Sequence, residues 1–347
     1  MALTKVTTGT IADDSIQSLK NRNLIINGAM QVAQRATQVT GVTTTGYYTC
    51  DRWRMTLGSL GAWTIDQSTD APNGFSNSFK VTCTTADASP AANDFCTLYH
   101  FIEAQNLQHL GFGTTDAKSM TLSFWVKSNK TGSASFAIFQ QDNSNKMISK
   151  SYTINSADTW EYKTISIPAD TAGVINNDNG SGFQIEWWLN SGTNWSSGSL
   201  QSTWSTYGQV NRNPSNLGVG GAVNDYLAIT GVQLEVGDVA TPFEHESYGD
   251  TLAKCQRYYQ KAVFGADFEG ANSTFYAGAY ALPVSMRATP TLSNVVYPVH
   301  ISNINTSIGV NGILVLISSQ DYIGWQTTAA SASRAYGWSY GDLDAEL

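Results

Sequence analysis

Two glutamates, Glu161 and Glu186, are the residues of this 347-residue sequence best suited to hydrolytic chemistry, since each lies near tryptophans in a strand-like segment. A pair of carboxylates roughly 5 to 10 Å apart across a groove can cleave a glycosidic bond. The alternative for each is an ordinary carboxylate on the solvent face of a sheet. The sequence has no HxxxH or HExxH spacing and no Walker-type glycine loop. We therefore predict that the protein is not an enzyme and needs no cofactor.

A second set of possible ligands lies at Glu244, His245 and Glu246, whose oxygens could contribute to a calcium site. Three adjacent residues on an extended segment point to alternating sides, so they would need further ligands from elsewhere in the fold. We therefore predict no metal site here.

The strongest candidate binding surface is the mixture of aromatic and amide side chains between residues 186 and 213. Sugars stack their C–H faces on aromatic rings while their hydroxyls bond to amides and carboxylates. An alternative is that Trp195 and Trp204 pin a long loop onto the edge of the fold. The predicted carbohydrate-binding residues are Trp188, Asn190, Asn194, Trp195, Trp204 and Tyr207.

Composition restricts the class of protein. Charged residues are 13% of the chain, about half the usual share, and the formal net charge is −8 with no cluster of Lys and Arg. A nucleic-acid partner is disfavoured because phosphate binding needs a basic surface. The start of the chain lacks the apolar core of a signal peptide, and the longest apolar run is too short to cross a bilayer. We expect no membrane insertion, synthesis in the cytoplasm, and four cysteines that are free, buried thiols.

The elements that would position these residues are short strands with alternating apolar side chains, separated by Gly- and Asn-rich turns. Such strands without intervening helices predict an all-β fold, an antiparallel jelly-roll β-sandwich. The predicted core-facing residues are Met120, Leu122, Phe124, Val126, Ala134, Phe136, Ile138, Phe183, Ile185, Trp187, Leu189, Val232, Leu234 and Val236.

The pattern changes twice along the chain. Residues 1–22 are polar and too poor in apolar groups to form a core, and the sandwich spans 23–246. In 247–263, apolar residues recur every three or four positions, which predicts a connecting helix capped by Asp250. Residues 264–347 return to the strand pattern and predict a second, smaller β module.

Several segments together resemble a family of bacteriophage tail-fibre and related virion proteins. They are RNLIINGAMQVAQR followed by DRW, LSFWVKSNKTGS, TWEYKTISIP, ITGVQLEVGDVATPFEHESYGDTLAKCQRYYQ, LPVSMRATPTL and the terminal DAEL. The segment NLIINGAM…DRW is also similar to the entry strand of carbohydrate-binding jelly-roll modules. The resemblance covers nearly the whole chain from Asn23.

The resemblance implies a homotrimeric structural protein on the particle of a tailed phage, a tail fibre or tail-associated adhesin with a lectin-like surface for a host glycan. The alternatives are a capsid fibre or decoration protein of the head and a glycan-cleaving tailspike. The opening TKVTTGTIADDSI resembles the segment by which such proteins attach to other virion proteins. The implied attachment residues are Thr4, Val6, Ile11, Asp13, Ile16 and Leu19.

Overall fold

A computed structural model describes residues 21–142, 145–270, 275–296, 314–317, 320–328 and 333–347. The six implied attachment residues lie outside this range. The chain divides into two compact units, Met1–Tyr248 and Gly249–Leu347. Within the described residues, no helix is both long and apolar enough to span a membrane.

The first unit is a jelly-roll sandwich of two antiparallel sheets, as the alternating pattern predicts. One sheet, here called the β7 sheet, has the strand order β1-β4-β5-β13-β7-β10. Its strands are β1 (Gln38–Val42), β4 (Ala62–Ser68), β5 (Ser78–Thr85), β7 (Met120–Ser128), β10 (Glu161–Ile167) and β13 (Tyr226–Val236).

The other sheet, here called the β11 sheet, has the order β12-β9-β8-β11-β6-β3-β2. A short helix, Thr193–Ser196, and two 3-10 segments, Ala104–Leu110 and Gln209–Asn211, lie in the connections of this unit. The strands are β2 (Gly46–Tyr47), β3 (Arg54–Gly58), β6 (Phe95–Glu103), β8 (Gly132–Gln140), β9 (Lys146–Ile154), β11 (Ser181–Ser191) and β12 (Ser205–Thr206).

The core lies between the two sheets and confirms the predicted alternation. All the predicted core-facing side chains are buried except Val236, which packs partly buried against the others. At the centre, the Trp187 ring lies 5.3 Å from Trp53, 5.3 Å from Phe136 and 6.0 Å from Phe124, centroid to centroid. The indole N–H of Trp53 donates to the backbone oxygen of Asn27 at 3.1 Å. Large apolar surfaces meeting across both sheets therefore hold the sandwich closed.

The inward phase changes within β13. Leu227 and Ile229 face the core before the change, and Val232 and Leu234 face it afterwards. The pairing register with β7 shifts between Thr230 and Gln233, and Gly231 between them has φ of +58°. Because side chains alternate with a period of two, one extra residue is needed to keep both halves of the strand facing inward. Glycine supplies the left-handed backbone at low cost.

The chain enters and leaves the sandwich at one place. The backbone N–H of Asn23 donates to Glu244 Oε2 at 2.8 Å, and its side-chain amide donates to the Val232 oxygen at 3.0 Å. Arg22 donates to the backbone oxygen of Pro242 at 2.9 Å. The residues that follow the N-terminal segment are therefore fastened to those that precede the second unit.

The four cysteines are free and buried, which confirms the prediction for the thiols. Burial raises the pKa of the Cys50 and Cys96 thiols well above the ordinary value. These thiols therefore behave as small apolar side chains.

The second unit contains two small antiparallel sheets, ordered β14-β19-β16 and β15-β18-β17 in its described residues. Part of its core is a cluster of Ala262, Met286, Leu343 and Ala345. Its strands are β14 (Tyr259–Gly270), β15 (Phe275–Ala281), β16 (Thr291–Val296), β17 (Leu314–Ile317), β18 (Tyr322–Thr328) and β19 (Ser333–Asp344).

The connecting helix is shorter than the predicted 247–263, since it spans Tyr248–Gln256. Asp250 lies inside its first turn and does not precede the helix as a cap. A backbone hydrogen bond from Tyr258 to Cys255 closes the end, and Tyr259 then pairs with Asp344 as the first residue of β14. The strand pairing overrides the helical spacing of residues 257–263, because tertiary context outweighs local propensity.

His100 makes the stability of the sandwich pH-dependent. Its ring is fully buried, 5.0 Å from Trp53, and burial together with the charge of Arg52 lowers its pKa well below the usual value. The folded protein therefore binds fewer protons here than the unfolded chain, so stability is present above the unfolded pKa of about 6.5 and is lost as pH falls below it. The free energy of unfolding, measured with urea, should fall by up to about 1.4 kcal/mol for each unit by which the pH is lowered from about 6.5 to 5. His100→Phe should flatten this dependence, and an unchanged slope would contradict the assignment.

Candidate functional site

Polar and aromatic side chains from residues 186–213, the predicted carbohydrate-binding segment, lie on the outer face of the β11 sheet. Strand alternation that turns Trp187 into the core turns Glu186 and Trp188 outward, and Tyr99 pairs with Glu186 on the neighbouring strand β6. The connection between β11 and β13 lies over this face, because its residues Trp195, Tyr207 and Arg212 contact the sheet. We call residues 192–217 the covering loop.

Glu186 and Arg212 form a buried, two-point ion pair at the centre of this face. Arg212 Nε donates to Glu186 Oε2 at 3.0 Å, and Nη2 donates to Oε1. The indole of Trp188 also donates to Oε2, at 2.9 Å, and the amide of Gln184 donates to Oε1. With both oxygens occupied and no exposed surface, Glu186 has a fixed and satisfied carboxylate.

Four aromatic rings surround the Arg212 guanidinium, at distances that allow cation–π attraction. Its central carbon lies 4.9 Å from the ring centroid of Trp195, 5.1 Å from Trp188, 5.8 Å from Tyr207 and 6.0 Å from Tyr99. The two tyrosine hydroxyls accept hydrogen bonds from Nη1 and Nη2. We call Glu186, Arg212 and these four aromatic residues the arginine box.

The electrostatics of the box favour a permanent ion pair. Burial raises the pKa of the Tyr99 hydroxyl, and the Glu186 charge raises it further. For Arg212 burial acts to lower the pKa, but the Glu186 carboxylate more than offsets this and holds the pKa above the ordinary value. Tyr99 therefore stays protonated and Arg212 stays charged near neutral pH.

The structure brings three of the predicted sugar-binding residues together and places the others apart. Trp188, Trp195 and Tyr207 are in the arginine box, with Trp188 fully buried. Asn190 is buried and accepts a hydrogen bond from the Asn216 amide at 3.1 Å. These four predicted sugar-binding side chains therefore make structural contacts within the protein.

The other two predicted residues lie at different surfaces. Asn194 is exposed and donates to the side chain of Asn93. Trp204 stacks on Phe183 at 5.8 Å, and its indole donates to the backbone oxygen of Pro168 at 2.7 Å. Since Phe183 belongs to the core, Trp204 closes the end of the sandwich. The contacts of Trp195 and Trp204 agree with the alternative in which they pin the loop.

Glu161 lies on the other sheet, in β10, and it too is engaged in structural bonds. Its carboxylate accepts backbone N–H groups of Asn155 and Ser156 at 2.8 Å and pairs with Lys163 at 2.6 Å. Partial burial acts to raise its pKa, but these hydrogen bonds lower it to about 2. The two glutamates therefore do not face each other across a groove.

The solvent-face explanation for Glu186 is wrong, because the side chain is fully buried. Its partner Arg212 was not predicted from the sequence. A usable signal is that Glu186 lies between the apolar residues Ile185 and Trp187, and that Arg212 is an arginine in the polar loop that follows this strand. The pairing spans 26 residues, so local periodicity does not reveal it.

The segment 244–246 has structural partners as well. Glu244 accepts the Asn23 backbone N–H, and its own N–H donates to Gln233 at 2.8 Å. The His245 ring packs 5.3 Å from Phe75 and 4.9 Å from Phe243. In the described part of the chain, no three His, Cys, Asp or Glu side chains are grouped as a metal would require.

Comparisons with known proteins place this chain near several β-sandwich structures. No protein-family model and no curated protein matches the sequence. The enzymatically active domain of tailspike protein 4 of bacteriophage CBA120 is similar at 14% identity and a TM-score of 0.31, over 62% of this chain and 22% of that one. A putative sugar-binding protein from Bacteroides thetaiotaomicron is similar at 12% identity and a TM-score of 0.32, over 62% of this chain and 100% of that one.

A third similar structure is the carbohydrate-binding module TmCBM61 in complex with β-1,4-galactotriose. It is 10% identical with a TM-score of 0.31, and the match covers 62% of this chain and all of the module. TM-scores this low carry no argument about what this chain does.

Proposed function

We propose that this chain is a structural protein of a tailed phage particle, a tail fibre or tail-associated adhesin that presents its sandwich to a host surface. The observation that carries the proposal is the joint entry and exit of the chain at Asn23 and Glu244. Two of the motifs that resemble tail-fibre proteins, RNLIINGAMQVAQR and ITGVQLEVGDVATPFEHESYGDTLAKCQRYYQ, contribute the residues of this place and much of the strand β13.

A binding role is favoured over hydrolysis in this proposal. Glu186 is saturated by Arg212, Trp188 and Gln184, and Glu161 holds a turn on the other sheet. A glycosidase needs one carboxylic acid that can give up its proton and a second carboxylate near it. Glu161 and Glu186 lie on different sheets, so they do not form such a pair.

The proposed assembly is a homotrimer attached through residues 1–22. Closed rotational symmetry is usual for such assemblies. The described edge strands of the small sheets in the second unit offer backbone groups that neighbouring copies could cover.

Deletion of residues 1–22 should abolish incorporation into phage particles and leave a soluble, folded oligomer. The measurement is western blotting of purified particles, with sedimentation of the purified variant as the control for folding. Incorporation of the truncated chain at the normal level would contradict the role of this segment. Release of reducing ends from host polysaccharide by the full chain would instead support the glycan-cleaving alternative.

A further inference from the structure

The outer face of the β7 sheet, opposite to the arginine box, carries an open aromatic surface. Trp125 on β7 pairs with Tyr162 on β10 in the sheet register, and their ring centroids are 5.4 Å apart. Tyr162 is 44% exposed and Trp125 is partly exposed. Core packing does not account for these rings, since neither belongs to the sandwich core.

A carboxylate lies next to this surface in a fixed orientation. Asp70 accepts the indole N–H of Trp160 at 3.0 Å through Oδ1 and the Lys127 ammonium at 2.9 Å through Oδ2. Its side chain remains 41% exposed, so each oxygen keeps capacity for another donor. Partial burial acts to raise the pKa of Asp70, but the bonds from Lys127 and Trp160 hold it below the ordinary value. Asp70 is therefore an ionised acceptor at neutral pH.

The bulge in β13 contributes to the same surface. A Cβ atom at Gly231 would lie 2.6 Å from the Phe75 ring and 3.0 Å from the Trp125 ring, so the absence of a side chain lets both rings approach the strand. Thr230 pairs with Trp125 in the register, and Lys127 is two residues further along β7 on the same face. Strand pairing and the bulge thus bring together rings and charges that are far apart in sequence.

The two polar clusters of the sandwich differ in what they leave available. In the arginine box the Glu186 carboxylate is buried and bonded at both oxygens. On the β7 sheet the Asp70 carboxylate is exposed, charged and adjacent to accessible rings. A saccharide needs this second combination, since rings stack on its C–H face and a charged acceptor binds neighbouring hydroxyls.

We infer that the outer face of the β7 sheet is a saccharide-binding site formed by Trp125, Tyr162, Trp160, Asp70 and Lys127. This inference rests on the proposed function and specifies it: the ligand is a hexose or hexosamine unit of a surface glycan, with vicinal hydroxyls free to bond to Asp70 and Lys127. It places the binding surface on the sheet opposite to the 186–213 patch.

Binding of the full chain to an array of defined neutral and amino oligosaccharides tests the inference. Tyr162→Ala removes an exposed ring, and Asp70→Asn keeps the shape of the side chain but removes its charge. Each variant should weaken binding about tenfold or more. Asp70→Asn weakens hydrogen bonds to a charged acceptor, and Tyr162→Ala removes an aromatic ring on which the sugar stacks. Trp195→Ala, in the covering loop that packs on the opposite sheet, is the matched control and should bind within about twofold of the parent.

The possible results separate this inference from the proposed function. Loss of binding in Trp195→Ala with full binding in Tyr162→Ala and Asp70→Asn would overturn the inference and place the site at the 186–213 patch. A change of oligomeric state in Tyr162→Ala would also overturn it, by showing that this face joins copies of the chain. If the parent chain binds no glycan but still adsorbs to host cells, the saccharide-binding site is ruled out and the proposed adhesin function is retained. Absence from phage particles contradicts the proposed function itself.

Discussion

Arg212→Met is expected to lower the free energy of unfolding of the sandwich by about 3–5 kcal/mol. The variant leaves the buried Glu186 carboxylate without its counter-charge, and an uncompensated buried charge costs that much. It also removes the cation from among the four rings that hold the covering loop. Urea unfolding of the full chain at pH 7, followed by tryptophan fluorescence, measures the effect.

A double variant provides the control for this prediction. Arg212→Met with Glu186→Met removes both charges, and well-packed apolar replacements of a buried ion pair are often close to neutral. The double variant should therefore recover most of the stability lost in the single one. Arg212→Lys should lie between the parent and Arg212→Met, because lysine keeps the charge but not the two-point geometry. A loss below about 1 kcal/mol in Arg212→Met would contradict the structural role of the box.

Trp187→Ala is expected to lower the stability of the sandwich by about 3–5 kcal/mol as well. The indole is fully buried where both sheets meet, against Trp53, Phe124 and Phe136, so its removal leaves a large cavity. Thermal unfolding measured by circular dichroism should show a strongly lowered midpoint for the first unit.

Trp195→Ala is the matched control for the core variant, since it truncates the same residue type at a partly exposed position of the covering loop. It should cost clearly less than Trp187→Ala. Equal losses in the two variants would contradict the greater contribution of the core position Trp187 over the loop position Trp195.

The fold could be predicted from the sequence wherever one sheet face is buried along its whole length. In the strands β7, β8 and β11 the central inward-facing positions are all apolar, and these residues lie in the core as expected. The bulge in β13 was not predicted. The alternation in the second half of this strand correctly gives Val232 and Leu234 as inward-facing, but it does not show that Leu227 and Ile229, at odd-numbered positions, also face inward. A register shift depends on the partner strand, which the local pattern does not contain.

The site could be predicted only in part, and for a related reason. The sequence predicts a carbohydrate-binding surface between residues 186 and 213, but it does not reveal the contacts with Arg212 and Tyr99, because these depend on loop packing across long sequence distances. The surface on the β7 sheet joins Asp70, Trp125 and Tyr162 from three separate segments. Propensity and periodicity identify the strands but not which exposed residues they bring together.

The proposed function places this chain on a phage particle with its sandwich presented outward. Electron microscopy of purified particles labelled with gold-conjugated antibody against the sandwich is the test. We expect label on projections of the tail. Label confined to the head would favour the capsid-fibre alternative. Unlabelled particles that also lack this polypeptide by mass spectrometry would rule out a role on the particle.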